Sequence, residues 1–320
     1  MKAAVIDHSG PPEVLQYREV PDPQPRANEV LVRNEAISIE GGDVSSRAGG
    51  RFAKTPHIVG YQSAGEVVWV GPEAGDFQIG DKVVCTGGIG SHADLRAVSG
   101  RTAWKLPAGM DINIASAIPI PFGTADNCLI AYGHLEAGET AFIQSGASGV
   151  GMAAIQVAKK AGAKVIATAS SAARLEPLYA LGLDHGIVSS NENVVERVME
   201  LTEKKGVDVT LDGNGGRSLK QCVQVLGWKG RATFIGVTAR EPMDINVASL
   251  MGGNRSLIGL GLGYEMATPR VRAMVQRYID GVAAGDYTVL LDKTFPLSEA
   301  AAAHAYIESR AAVGRVVLVP

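Results

Sequence analysis

The stretch Thr140-Ala-Phe-Ile-Gln-Ser-Gly-Ala-Ser-Gly-Val-Gly151 decides the fold of this chain. A short apolar run, which predicts a buried strand, leads into closely spaced glycines and then into an alanine-rich segment that predicts a helix. Such glycines allow a tight bend, let backbone amides approach a pyrophosphate and let the helix pack closely on the strand. The pattern therefore predicts the turn of a dinucleotide-binding Rossmann domain, with an ordinary glycine-rich turn as the alternative. The residues expected to contact the cofactor are Gly146, Ser148, Gly149, Val150 and Gly151.

The sequence around this loop alternates between short apolar runs and longer amphipathic segments. The runs predict buried strands at Glu139–Gln144, Lys164–Ala169, Asp208–Asp212 and Arg231–Gly236. The amphipathic segments predict helices at Gly149–Ala161, Ala172–Leu181, Asn193–Lys204 and Gly216–Leu226. Strands that alternate with helices predict a doubly wound parallel sheet.

The residues on either side of this region predict a β-rich domain. Short runs rich in β-branched or apolar residues lie at Lys2–Asp7, Glu29–Ile39, Ala64–Val70, Lys82–Thr86 and Leu95–Val98. The tail adds two helix candidates and a strand, at Pro269–Ala284, Glu299–Arg310 and Arg315–Val319. We therefore expect an α/β fold in which a nucleotide-binding domain (residues 121–264) interrupts a β-rich domain (residues 1–120 and 265–320).

Composition limits the partners and the location of the protein. The 320 residues include 30 Lys and Arg and 33 Asp and Glu, which gives a net charge of −3. The sequence contains no block of basic residues, so a nucleic-acid partner is not expected. No apolar run approaches the ~18 residues of a membrane span, so no membrane partner is expected. The N-terminus lacks a signal-peptide core, and three scattered cysteines fit a reducing compartment. We therefore expect a cytoplasmic protein.

The end of the second predicted strand indicates which cofactor is preferred. NAD-selective sites carry an acidic residue about 20 residues after the glycine loop, where it binds the ribose 2′-hydroxyl. The stretch between Val165 and Leu175 has no acidic residue and offers Ser170, Ser171 and Arg174 instead. Hydroxyls and a guanidinium would bind a 2′-phosphate, so NADPH is predicted. The alternative is that the arginine is simply a solvated helix residue.

The chain resembles the zinc-independent quinone oxidoreductase (zeta-crystallin-like) branch of the medium-chain dehydrogenase/reductase superfamily, over nearly its whole length. The motifs that carry the resemblance are Pro-Asp-Pro-Gln-Pro at 21–25, Glu-Val-Leu-Val-Arg at 29–33, Gly-Tyr-Gln-Ser-Ala-Gly-Glu-Val at 60–67, Gly-Asp-Lys-Val at 80–83, Gly-Thr-Ala at 123–125, the glycine loop and Gly-Arg-Val-Val-Leu at 314–318. The family implies a GroES-like catalytic domain, a Rossmann domain, bound NADPH and a homodimer.

Further cofactor contacts come from this resemblance and from the predicted topology. Thr124, Gly236 and Gly261 match family positions that face the cofactor. Asn214 follows the predicted strand that ends at Asp212, at the edge where doubly wound sheets bind their ligands.

The cysteines and the residues at the family's zinc-ligand positions argue against a bound metal. A structural zinc site needs four cysteines close in sequence, whereas Cys85, Cys128 and Cys222 are far apart. The positions that match the catalytic zinc ligands of alcohol dehydrogenases are occupied by Glu40, Tyr61 and approximately Pro121, of which only the glutamate could bind zinc. We therefore expect an enzyme that works without metal.

Without a Lewis acid, an electron-poor acceptor is the suitable substrate, since hydrogen bonds alone can stabilise its developing oxyanion. Catalytic candidates are Tyr61, whose phenol could donate to that oxygen, Glu40, and Asp43, which matches a family position and is equally suited to be a structural cap. Alternatively, these side chains only line the pocket. The sequence predicts an NADPH:quinone oxidoreductase; the alternatives are a reductase of activated C=C bonds in enones or 2-alkenals and a non-catalytic NADPH-binding protein.

A predicted edge strand suggests how two copies could pair. Ser256–Leu260 is apolar, follows a Met-Gly-Gly-Asn loop and should be the last strand of the nucleotide-binding sheet. An exposed strand edge can pair with a second copy, as in the family dimers.

Overall fold

The computed structural model describes residues 1–52 and 54–320. They form two compact units, one of Met1–Ile120 with Gly263–Pro320 and the other of Pro121–Leu262. Within the described residues, none of the helices combines the length and the hydropathy that a membrane span requires.

The strands are numbered in chain order. They are β1 (Lys2–Ile6), β2 (Gln16–Glu19), β3 (Glu29–Ser38), β4 (His57–Ile58), β5 (Gln62–Val70), β6 (Lys82–Thr86), β7 (Leu95–Ser99), β8 (Ala103–Lys105), β9 (Thr140–Ile143), β10 (Lys164–Ala169), β11 (His185–Val188), β12 (Val207–Asp212), β13 (Leu226–Phe234), β14 (Ser256–Gly259), β15 (Leu291–Pro296) and β16 (Arg315–Val319). The α-helices are α1 (Gly41–Gly49), α2 (Ile112–Ala115), α3 (Pro119–Asp126), α4 (Gly149–Lys160), α5 (Ala172–Tyr179), α6 (Val194–Leu201), α7 (Gly216–Gln224), α8 (Pro269–Ala283) and α9 (Ala300–Glu308).

The unit of Pro121–Leu262 is built on one parallel sheet with the strand order β11-β10-β9-β12-β13-β14. Helices α4 to α7 lie in the successive crossovers. Its strands bury large apolar side chains, and Phe142, Ile166 and Ile187 are fully buried, as expected for a sheet covered on both faces. From β9 the chain adds β10 and β11 on one side of the sheet and then returns to add β12, β13 and β14 on the other side. The direction in which strands are added therefore reverses between β9 and β12. The prediction of a doubly wound parallel sheet is confirmed, and the carboxyl ends at this reversal are where such sheets bind ligands.

The other unit contains a seven-stranded sheet and a three-stranded sheet. In the larger sheet, β3 lies between β16 and β5 and pairs antiparallel with both. Val317 is opposite Ser38, and Ala36 is opposite Ala64. This register brings the start of β16 and the start of β5 to the end of β3. Three distant parts of the sequence therefore meet at the residues that follow Ser38.

Several elements differ from the sequence-based predictions. Helix α1 was not expected because glycines occur at both of its ends, and glycine disfavours helix by ~1 kcal/mol. Strand β15 is mostly exposed and carries charged residues, and β11 has only four residues, so neither shows a clear hydrophobic pattern. Strand β13 begins already at Leu226, although Gly227 and Gly230 interrupt its apolar run.

Candidate active site

The glycine loop connects β9 to α4, and Ser148 takes the place of the middle glycine of the usual motif. Ser148 has extended backbone angles and is the N-cap of α4. Its Oγ accepts a hydrogen bond from the Gly151 N–H at 3.0 Å. A serine here therefore supplies a helix cap, a role that glycine would fill less well.

The glycines of the loop allow a close approach that no side chain would permit. A Cβ on Gly151 would lie 2.3 Å from the Ser145 carbonyl oxygen, and a Cβ on Gly146 would lie 2.9 Å from the Ala167 Cβ on β10. The start of α4 is thus packed tightly against the sheet. Gly149 and Val150 form its first turn, where backbone N–H groups and the helix dipole favour an anion. This cradle fits a pyrophosphate.

Asn214 connects the loops that follow three neighbouring strands. Its side-chain amide donates to Ser145 Oγ at 2.8 Å, after β9, and its carbonyl oxygen accepts from Thr238 Oγ1 at 3.2 Å, after β13. Gly236 allows these loops to approach, because a Cβ there would lie 2.1 Å from the Gly213 carbonyl oxygen. Sequence reasoning missed Ser145 and Thr238, although both follow predicted strand ends.

The carboxyl ends of β10 and β11 are rich in hydroxyl groups. Ser171 is the N-cap of α5, and Arg174 lies partly exposed in the first turn of that helix. Ser190 Oγ donates to the carbonyl oxygen of Ser170 at 2.9 Å, and Ser189 Oγ donates to the carbonyl oxygen of Ala169 at 3.2 Å. The two additional serines were missed because strand β11 itself was not predicted. Hydroxyls beside a guanidinium suit a phosphate monoester.

Two predicted cofactor residues lie elsewhere in the same unit. Thr124 lies in α3 with its side chain buried, and Gly261 follows β14. Their roles toward the cofactor stay predictions.

In the other unit, Glu40 and Arg315 form a buried ion pair at the end of β3. The Arg315 guanidinium also donates to Ser38 Oγ at 2.6 Å and to the Ile39 carbonyl oxygen at 2.9 Å. Arg315 is the first residue of β16, so the pairing of β16 with β3 delivers this cation to the carboxylate. Sequence reasoning missed this arginine because nothing local relates it to Glu40.

One oxygen of the Glu40 carboxylate receives several donors. Oε1 accepts from Gln62 Nε2 at 2.9 Å and from Ser38 Oγ at 3.3 Å, in addition to Arg315. Burial raises the pKa of Glu40 above its ordinary value, while the arginine and the hydrogen bonds oppose this shift. These donors fix the carboxyl group in one orientation.

Asp43 closes the first turn of α1. Its carboxylate accepts the Glu40 N–H at 2.9 Å, which is the geometry of a helix cap. Its other oxygen is buried and has no hydrogen-bond partner among the described residues. Burial, reinforced by the Glu40 carboxylate and opposed by the hydrogen bond, raises the pKa of Asp43 to about 8. The capping alternative is therefore realised, with a carboxyl that is mostly protonated at neutral pH.

Tyr61 immediately precedes β5, and its ring lies against the start of α1. A Cβ built on Gly42 would lie 2.6 Å from the Tyr61 hydroxyl oxygen. Burial, together with the Asp43 and Glu40 carboxyls, raises the pKa of the phenol well above its ordinary value, and a hydrogen bond from the Gly42 N–H acts in the opposite direction. The structure thus brings the three catalytic candidates together and keeps the phenol protonated, as a hydrogen-bond donor must be.

The residues at the positions of the alcohol dehydrogenase zinc ligands do not form a metal site. The Glu40 carboxylate forms an ion pair with Arg315 and accepts a hydrogen bond from Gln62, and the Tyr61 phenol is protonated. Across residues 1–52 and 54–320, no group of three or more His, Cys, Asp or Glu side chains could hold a metal ion. Metal-independent activity stays a prediction.

Two family models match the chain. One, described as an alcohol dehydrogenase GroES-like domain, matches residues 26–108, and the other, described as a zinc-binding dehydrogenase, matches residues 149–279. The GroES-like identity expected for the β-rich domain is confirmed.

Full-length relatives and solved structures agree with these matches. A quinone oxidoreductase of Pseudomonas aeruginosa is 32% identical over 315 residues, which cover 97% of each chain. A 2-haloacrylate reductase of a Burkholderia species is 30% identical over 328 residues, 99% of this chain and 98% of the relative. The crystal structure of Escherichia coli quinone oxidoreductase complexed with NADPH superimposes with a TM-score of 0.95 at 28% identity and covers 100% of both chains.

Proposed function

The chain belongs to the quinone oxidoreductase (zeta-crystallin-like) branch of the medium-chain dehydrogenase/reductase superfamily, and we propose that it is an NADPH-dependent quinone oxidoreductase. The 32% identical quinone oxidoreductase and the match to the GroES-like family model confirm the resemblance drawn from the sequence. The observation that carries the proposed activity is the intact pyrophosphate cradle, with Ser148 capping α4 above glycines that tolerate no side chain. We assign cofactor binding to residues 121–264 and catalysis to residues 1–120 and 265–320.

The residues present fit NADPH. The first-turn amides at Gly149 and Val150 would hold the pyrophosphate. Ser170, Ser171 and Arg174 would hold the 2′-phosphate, since they combine hydroxyl donors with a cation. When bound, NADPH supplies a hydride to the acceptor.

The side chains at the start of α1 would prepare the acceptor for that hydride. The Tyr61 phenol donates a hydrogen bond to a carbonyl oxygen of the quinone, where negative charge develops as the ring is reduced. Arg315 neutralises the Glu40 carboxylate, so the nearby acid does not repel this charge. With one hydride from NADPH and one proton from solvent the quinone becomes a hydroquinone, and the Tyr61 hydroxyl would stabilise the intermediate anion through its hydrogen bond.

A second candidate is reduction of an activated C=C bond. It is favoured by the similarity to a 2-haloacrylate reductase, whose named substrate class contains a double bond conjugated to a carboxyl group. The same hydrogen bond from Tyr61 would stabilise an enolate instead of a hydroquinone anion.

We also propose that the protein is a cytoplasmic homodimer. Strand β14 lies at the edge of its sheet, and an unpaired edge can extend into a second copy. Met251, in the short 3-10 helix before β14, is 81% exposed, which supports burial against another chain. Cys85, Cys128 and Cys222 are free and buried, which supports a reducing compartment.

The test of function is the oxidation of NADPH in the presence of defined acceptors. We expect turnover with 1,4-benzoquinone and 9,10-phenanthrenequinone, and slower turnover with NADH. Oxidation that requires an enone or 2-alkenal and ignores both quinones would favour the second candidate. Binding of NADPH without oxidation by any acceptor would indicate the non-catalytic alternative.

A further inference from the structure

The Tyr61 ring occupies the space that a side chain at Gly42 would fill. A Cβ on Gly42 would lie 2.6 Å from the Tyr61 hydroxyl oxygen, 3.0 Å from Cε1 and 3.2 Å from Cζ. The distance to the hydroxyl oxygen is shorter than real Cβ contacts, and the other two are tighter than most of them. The place of the hydroxyl therefore depends on the absence of a side chain at this position.

The backbone at Gly42 gives no other reason for a glycine. Gly42 lies in the first turn of α1 and is not among the glycines with positive φ. Alanine would favour this helix by ~1 kcal/mol relative to glycine. The glycine thus costs helix stability at a position where its only evident benefit is the approach of Tyr61.

The N–H of Gly42 also acts on the phenol electrostatically. A hydrogen bond from this N–H acts on the pKa of Tyr61 in the direction opposite to burial. An oxygen that accepts from the backbone retains its own proton for donation elsewhere. The turn is held in place by Asp43, whose carboxylate accepts the Glu40 N–H at 2.9 Å.

We propose that Gly42 is a positioning residue that sets the place of the Tyr61 hydroxyl and leaves its proton available to the carbonyl oxygen of the acceptor. This inference rests on the proposed function, because it assumes that Tyr61 donates to the acceptor. Gly42 itself touches neither acceptor nor cofactor in this scheme.

The experiment compares Gly42→Ala with a matched substitution in the same helix. A Cβ on Gly49, at the other end of α1, would meet nothing within 4 Å, so Gly49→Ala is the control. We expect Gly42→Ala to lower kcat for quinone reduction about tenfold to a hundredfold, because displaced catalytic groups lose that much. The KM for NADPH should stay unchanged. Gly49→Ala should retain wild-type kinetics.

A double-variant cycle separates positioning from a general effect on the fold. If Gly42 acts through the phenol, Gly42→Ala should have little further effect once Tyr61→Phe has removed the hydroxyl. The double variant also lacks the hydroxyl oxygen, which is the atom closest to the new Cβ. Its melting temperature should therefore be no lower than that of Gly42→Ala alone. Equal losses from Gly42→Ala with and without the hydroxyl would overturn the inference.

The remaining outcomes distinguish the inference from the proposed function. No quinone turnover by the wild type would overturn the function itself. Full activity of Tyr61→Phe would refute donation by the phenol and the positioning with it. A loss in Tyr61→Phe together with full activity in Gly42→Ala would overturn the positioning role and leave the function standing.

Discussion

Glu40 and Arg315 are separated by 275 positions in the sequence, yet they form an ion pair whose side chains are only 4% and 8% exposed. The pair joins the residue after β3 to the first residue of the last strand. A carboxylate in such surroundings is tolerated only while its cation is present, because an unpaired buried charge loses its hydration without compensation.

Removal of the cation should therefore destabilise the protein strongly. We expect Arg315→Ala to lower the free energy of unfolding by about 3–5 kcal/mol, as for other broken buried pairs. Adding Glu40→Gln should recover part of this loss, since it removes the charge left behind. Urea denaturation measures both. Arg18→Ala, which breaks the exposed pair with Asp7, should leave the midpoint unchanged. A similarly small change for Arg315→Ala would contradict the prediction.

The pKa of Asp43 predicts how stability depends on pH. The folded protein holds this proton up to a pKa of about 8, whereas the ordinary value is 3.8. The folded state therefore binds more protons between these values, and the contribution to stability, complete below 3.8, is lost as the pH rises through about 8. Asp43→Asn keeps an acceptor for the Glu40 N–H but does not titrate. The stability of the wild type relative to Asp43→Asn should fall between pH 5 and pH 8 in urea titrations; a constant difference would show that Asp43 does not titrate in this way.

Cofactor preference should depend on Arg174. A charge-assisted contact to the 2′-phosphate is worth about 1.5–3 kcal/mol, so Arg174→Ala should raise the KM for NADPH on the order of tenfold to a hundredfold. The KM for NADH, which lacks this phosphate, should barely change. Lys159→Ala is the control, because it removes a cation at the far end of α4, where Lys159 is paired with Asp184. An unchanged KM for NADPH in Arg174→Ala, or a wild type that prefers NADH, would refute the assignment.

Chelation should leave the enzyme intact. Since the described residues contain no cluster of metal-ligating side chains, prolonged dialysis against a chelator should change neither quinone turnover nor the melting temperature. Metal analysis of the dialysed protein provides the control. Zinc that is present in stoichiometric amounts and lost together with activity would contradict the prediction.

The edge strand β14 predicts the state of assembly. Light scattering at micromolar concentration should give twice the chain mass of 33.4 kDa. Leu257→Pro should weaken pairing at this edge, because the Leu260 N–H bonds to Phe234 of β13 and alternate residues of a strand face opposite sides, so the Leu257 N–H faces away from β13. A wild type that scatters as a monomer would refute the homodimer.

The sequence by itself determined most of the nucleotide-binding half of the protein, with strand β11 as the exception. Strand, glycine turn and helix follow one another within a few residues, and their signals are local: apolar runs and glycines that permit close approach. The hydroxyl-rich stretch at Ser170 and Ser171 could likewise be read directly after its strand. Each of these inferences could be made from residues that are adjacent in the sequence.

Only the tertiary structure decided which side chains meet in the candidate catalytic cluster. The partnership of Glu40 with Arg315 depends on the antiparallel register of β16 and β3, and that of Gly42 with Tyr61 depends on how α1 packs beside the start of β5. Helix α1 itself has weak local propensity and was not predicted. Burial, which sets the charge states of these acids and of the phenol, comes from long-range packing and has no counterpart in the local pattern of residues.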